Sequence, residues 1–223
     1  MEARYGRNIP ALSEEECRFL GRKRVLVVGC GGLGGHIIDQ LARIGVGFLR
    51  VVDGDRFEPS NLNRQLLSRV PLLGVSKAAA AADHVSQINP DITVESMEAF
   101  MTEENVRSLL DGCDLVFDAL DNIPSRRILA AAADEAGIPY VYGANQGWVA
   151  QAGISMPGED LIGKLFPAEV SVRDKSVLSF TPAMCASVQV SLAVKLLTGR
   201  PVDTGTVFYF DLLNLESEAI PFV

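Results

Sequence analysis

The chain has 223 residues, 48% hydrophobic and 22% charged, with a formal net charge of −8. This composition suits a folded domain with a large core and excludes a disordered chain, and the acidic balance argues against general nucleic-acid binding. No apolar run reads as long enough to span a bilayer, and the start MEARYGRNIP lacks the apolar core of a secretion signal, so the expected compartment is the cytoplasm.

Residues 1–23 read as an N-terminal arm. Ser13, followed by Glu14, Glu15 and Glu16, caps a short helix ending near Leu20, with Gly21 as its stop. The apolar run 25–28 breaks into Gly29, Gly31, Gly32 and Gly34; a helical pattern covers 33–44, and a second apolar run, 48–52, ends at Asp53. A strand, a glycine turn, a helix and a second strand form a phosphate site, because turn N–H groups and the positive helix end converge on an anion. Asp53 stands where an acidic residue takes ribose hydroxyls. The alternative is a tight packing turn without a ligand.

Residues 53–65 form a polar connection carrying Asp55, Asn61, Asn63, Arg64 and Gln65, beside the end of a parallel strand, where a ligand crevice is expected. Read without other context it is equally an ordinary solvated loop. Residues 74–88 are alanine-rich and helical, and Lys77 in the first turn opposes the helix dipole, which adds weight to a functional role beside the ordinary reading of a solvated lysine. Strands are expected at 92–95, 114–117 and 140–142, and helices at 103–110 and 125–136, the latter opened by Pro124 and stopped by Gly137. The alternation implies an α/β fold with a Rossmann-like, doubly wound, mostly parallel sheet. From residue 143 the pattern changes. Residues 148–155 read as an antiparallel strand, 156–176 as a long loop, 180–197 as an apolar helix, and 206–210 and 217–220 as closing strands. No internal repeat or domain boundary is evident, so 1–223 is expected to be a single domain. Cys17, Cys30, Cys113 and Cys185 form no CxxC pair, so no zinc site is expected; His36 and His84 fall in predicted helices and read as structural.

Four residue sets now coincide: Arg4-Tyr5-Gly6-Arg7; the glycines of 29–34; Asp53 through Ser60-Asn61-Leu62-Asn63-Arg64-Gln65 to Lys77; and Asp118-Ala119-Leu120-Asp121-Asn122. Over nearly its whole length the chain resembles the ThiF/MoeB/HesA family, adenylyltransferases related to ubiquitin-activating enzymes. The resemblance implies a Rossmann-like fold with antiparallel C-terminal strands and an ATP-binding adenylation domain. It also implies ATP-dependent adenylation of the C-terminal glycine of a ubiquitin-like sulfur carrier protein of the ThiS or MoaD type, as in thiamine or molybdopterin biosynthesis, by a homodimer. Carried over by position, Gly29, Gly31, Gly32 and Gly34 approach the phosphates and Asp53, with Asp55 beside it, the ribose. Asn61, Arg64, Gln65 and Lys77 hold the triphosphate, and Asp121 binds magnesium. Arg7 reaches into the neighbouring subunit's site, the arm's arginines having no evident role in their own subunit. Asn8 stands where the family has glutamine. The two CxxC pairs of zinc-binding members are missing, and the 156–176 crossover loop has no cysteine, which leaves adenylation as the supported activity.

A carboxylate is already ionised at neutral pH and attacks the α-phosphate without a base, so scarce histidine is no obstacle. The need is for cations that bring an anion to a polyanion, the role read for Arg7, Arg64, Lys77 and magnesium on Asp121. Three rival readings stay open: a nicotinamide-dependent oxidoreductase, a family member adenylating a small carboxylate or a tRNA base, and a non-catalytic regulatory subunit. Cys185, near the start of the apolar helix, reads as a buried apolar residue rather than a thioester nucleophile.

Overall fold

The computed structural model describes residues 3–168 and 176–222. In chain order the first half forms α1 (Glu14–Leu20), β1 (Arg24–Val28), α2 (Gly32–Ile44), β2 (Phe48–Val52), α3 (Lys77–Ile88), β3 (Thr93–Met97), α4 (Val106–Leu110) and β4 (Leu115–Asp118). There follow α5 (Ile123–Glu135), β5 (Tyr140–Gln146), β6 (Val149–Ser155), α6 (Leu161–Leu165), α7 (Phe180–Leu197), β7 (Thr206–Asp211) and β8 (Glu216–Pro221). All eight strands join one sheet in the order β3-β2-β1-β4-β5-β6-β7-β8. β3, β2, β1, β4 and β5 pair in parallel, and β5 to β8 pair antiparallel.

The central strands are mostly apolar because helices cover both faces, with Arg50 in β2 and Asp118 at the end of β4 as buried exceptions. Side chains alternate across the pleat. Val25, Val27, Leu49 and Phe117 join Leu41, Val85 and Val190 in one cluster, under α2, α3 and α7. Leu26, Val28 and Val116 join Leu109, Leu129 and Leu161 in the other, under α4, α5 and α6. Full burial of each such side chain is worth roughly 1.5–3 kcal/mol. β1 lies between β2 and β4, so the chain leaves it in opposite directions and a crevice opens at the carboxyl ends of β1 and β4.

Several boundaries differ from the sequence reading, each for a local reason. α3 starts at Lys77, not near residue 74, because Gly74 has φ +82° and Ser76 caps the helix by accepting the Ala79 N–H. α5 starts at Ile123 because Asn122 caps it through the Ser125 N–H. α4 is shorter than expected: the Asn105 side chain, which accepts the Thr102 N–H and donates to Phe100 O, holds the preceding turn outside the helix. β5 runs on to Gln146, because pairing with β6 carries residues of weak strand propensity. The crossover region contains α6, and its residues 169–175 lie outside those described.

Two expectations need correction. α7 is 18 residues long with a mean hydropathy of 1.4, so an apolar segment of membrane-crossing length and composition does exist; Cys185, Ala186, Gln189 and Ala193 bury it in the core. The arm does have a role in its own subunit. Arg4 donates to Asn89 Oδ1 and pairs with Asp91 at 3.0 Å, while Tyr5 packs against Gly45 and accepts from Asn89 Nδ2 at 2.6 Å.

Candidate active site

Two of the four motif glycines serve the backbone itself. Gly29 has φ +99° and lies against the Ala119 carbonyl, and Gly34 lies so close to Gly29 that an added Cβ would stand 1.8 Å from its oxygen. Any side chain at either position breaks the turn. Gly31 and Gly32 face more open space: a Cβ on Gly31 would meet only Gln65, at 3.5 Å, and one on Gly32 only Pro182 and Arg64, at 3.7 and 3.9 Å. The two residues at the amino end of α2 therefore leave a cradle for an anion, bordered by Arg64 and Gln65.

Asp53 fastens the turn to the polar connection. Its Oδ2 accepts the Cys30 N–H at 2.7 Å and its Oδ1 the Asp55 N–H at 2.8 Å. Burial pushes its carboxyl up from the ordinary range, against the pull of those N–H groups and of Lys77. Lys77 reaches back from the first residue of α3 to Asp55, with Nζ 2.9 Å from Oδ2. The unfavourable end of the helix is thus offset by a carboxylate.

Arg64 is half-buried, and its guanidinium donates to Ser60 O and to Asn63 Oδ1, both at 2.9 Å. Gln65 is buried and its Oε1 has no hydrogen-bond partner among the described residues. The Gln65 atom that faces Gly31 is the amide Nε2, a donor suited to a phosphate oxygen in the cradle. Asn61 is buried and turned to its own loop, where Oδ1 accepts the Glu58 N–H at 3.0 Å. Asp121 is exposed at the carboxyl end of β4, two residues past Ala119, and accepts from Asn122 Nδ2 at 3.2 Å.

The topology thus brings together Gly29, Gly31, Gly32, Gly34, Asp53, Asp55, Arg64, Gln65 and Lys77, with Asn61 bracing the loop beneath and Asp121 on the next loop. It does not bring Arg7 there. Arg4 and Tyr5 dock at the carboxyl ends of α2 and α3, about 18 Å along those helices from the ends that carry the glycine turn and Lys77. Arg7 lies three residues on in the same turn, exposed, and among the described residues nothing pairs with it.

Sequence reasoning missed two features. The ring of Phe100 lies over Gly54, next to Asp53, and is 66% exposed. An apolar side chain open to solvent in a polar crevice offers a face for a nucleobase; nothing in the local pattern announced it. The second is a buried ion pair, Asp118 with Arg126, which also takes the Tyr140 hydroxyl. Burial pushes the Asp118 carboxyl up, against the pull of Arg126, Tyr140 and the Leu120 N–H. The motif around residues 118–122 was the only signal. Cys185 is fully buried, with Sγ 3.1 Å from Gln151 O, and burial pushes its thiol up to about 12.

Comparison with known proteins follows the same lines. A profile of the ThiF family matches residues 5–222. The chain is 37% identical to the SAMP-activating enzyme E1 of Haloferax volcanii, over 98% of its own length and 84% of that protein's. It is 34% identical to the sulfur carrier protein adenylyltransferase of Thermus thermophilus, over 95% and 83%. With the probable adenylyltransferase/sulfurtransferase MoeZ of Mycobacterium tuberculosis it shares 35% identity, but spans 59% of that protein. The fold matches the solved structure of E. coli MccB with ATP, with a TM-score of 0.84 at 19% identity over 100% of this chain and 72% of the other. It also matches PaaA, at 0.79 and 23% over 94% and 76%.

Proposed function

For a chain that belongs to the ThiF family and is an E1-like adenylyltransferase, we propose that it adenylates the C-terminal glycine carboxylate of a small ubiquitin-like sulfur carrier of the ThiS or MoaD type. ATP is the co-substrate. The observation that carries the reading is the pair of cations, Arg64 and Lys77, set around an open glycine cradle that the Nε2 amide of Gln65 faces.

The residues divide the work by chemistry. The N–H groups of the turn and the start of α2 take phosphate oxygens, and Arg64 and Lys77 neutralise the charge that builds on the departing pyrophosphate. Asp53 takes the ribose hydroxyls, and the exposed face of Phe100 takes the base. Among the described residues no cluster of three or more metal-binding side chains occurs. Magnesium needs no such cluster, since one or two carboxylates and the substrate phosphates suffice. Asp121, exposed and held only by an amide, fits that role. When bound, the ion supplies further neutralisation of the phosphates. The attacking group is the carrier's own carboxylate, so no base is required.

The proposal includes a homodimer in which Arg7 completes the partner's site. Its own chain keeps the arm at the far end of α2 and α3, away from the glycine turn and Lys77, and among the described residues nothing pairs with Arg7 there. The deciding experiment is ATP–pyrophosphate exchange with a purified carrier ending in glycine. Exchange that needs the intact glycine terminus is expected. Exchange driven equally well by a small carboxylate, without any carrier, overturns the substrate assignment. In a thermal melt ATP is expected to protect the fold and NAD not to.

A further inference from the structure

The buried ion pair beneath the site is costly to bury, and pairs of its kind are often replaceable by well-packed hydrophobic residues of similar volume at no loss of stability. Its geometry offers another reason for it. Arg126, 6% exposed, donates to Asp118 Oδ2, to Gly143 O at 2.7 Å and to Leu120 O. Asp118 in turn accepts the Leu120 N–H at 2.9 Å on Oδ1. Leu120 is therefore gripped at both its N–H and its carbonyl. Asn122, two residues on, is fixed as the cap of α5. Asp121 stands between these two clamps. The same guanidinium holds Gly143, where β5 becomes polar, and Gln189 of α7 packs against Gly143 while donating to Asp118 O at 3.1 Å.

We infer that Arg126 is a positioning residue that sets the Asp121 carboxylate in register with the end of β5, through the Leu120 and Gly143 carbonyls. The inference rests on the reading of Asp121 as the magnesium ligand. β5 beyond Gly143 borders the crevice, so one guanidinium ties the metal-binding loop to the strand edge along which a carrier tail would lie. A lysine would keep the charge but could not span three acceptors in one plane.

The test measures ATP affinity with and without magnesium by calorimetry, needing no carrier. Asp121→Asn is expected to lose the magnesium enhancement. Arg126→Lys, and the neutral pair Asp118→Asn with Arg126→Gln, should keep magnesium-free ATP affinity while weakening the enhancement by about tenfold, the usual scale for a residue behind a metal ligand. Amide exchange across residues 120–122 is read in parallel and should quicken in the neutral pair. A folded neutral pair with wild-type enhancement and unchanged amide exchange overturns the inference. So does a neutral pair that does not fold, since Arg126 would then serve stability alone. If Asp121→Asn keeps the enhancement, the magnesium reading fails, and the amide exchange still decides whether Arg126 positions the loop.

Discussion

Lys77 Nζ lies 2.9 Å from Asp55 Oδ2, with the lysine side chain 8% exposed and the aspartate 55%. The lysine is thus held by a carboxylate that water still reaches, and such a pair is worth at most about 1 kcal/mol. A triphosphate, with more charge, would compete for the lysine. Lys77→Ala is expected to lower ATP–pyrophosphate exchange by at least about a hundredfold, the scale of removing one transition-state donor. Asp55 would then be left solvated, so the melting temperature should change little. Full exchange in a folded Lys77→Ala protein removes the lysine from the mechanism.

Arg7 tests the shared site. Arg7→Ala and Lys77→Ala proteins should each be inactive alone. Mixed so that subunits exchange, they form hybrids with one whole site and one doubly broken one, restoring about a quarter of wild-type activity for random two-fold pairing. Hybrids shown by native mass spectrometry that stay inactive would end the idea.

Phe100→Ala should raise the ATP concentration needed for half-maximal rate by about tenfold, within the range for one base stacked on an aromatic ring. The maximal rate should hold, because the ring lies beside the ribose end rather than the phosphates. Equal ATP requirements in the two proteins would return Phe100 to the status of an exposed hydrophobic residue.

Cys185 is expected to take no part. With its thiol raised to about 12 by burial, it is protonated at neutral pH and a poor nucleophile. Wild type and Cys185→Ser should adenylate the carrier equally. Mass spectrometry of carrier, enzyme and ATP should find no thiol-sensitive adduct; an adduct seen in wild type alone would make Cys185 catalytic.

The hydrogen bond from Arg200, with help from the Ser13 N–H, holds Glu16 down at about 2, against an ordinary 4.5. A lowered carboxylate stabilises the fold above its unfolded value and loses that contribution as it is protonated. The advantage of wild type over Glu16→Gln should therefore be complete above pH 4.5 and vanish as the pH falls towards about 2. Acid titrations of both proteins followed by circular dichroism check this; a constant difference across that window would mean that charge is not what Glu16 contributes.

The placement of the glycine turn, Asp53 and Lys77 was legible in the sequence because it follows from local geometry. A strand, a glycine turn and a helix start leave backbone N–H groups suited to an anion, and a lysine at a helix's first residue opposes the helix dipole. The parallel core was legible too, since strands buried on both faces read as near-continuous apolar runs. Tertiary structure alone decided which side chains border that cradle. Gln65 meets Gly31 because the loop after β2 folds back over the carboxyl end of its neighbour β1, and Phe100 covers Gly54 because β2 pairs with β3. Arg126 meets Gly143 for the same kind of reason: parallel pairing of β4 with β5 sets the start of α5 beside the middle of the next strand. Periodicity says which face a residue occupies and nothing of its neighbour across the sheet. That neighbour follows from strand order, a global property of packing.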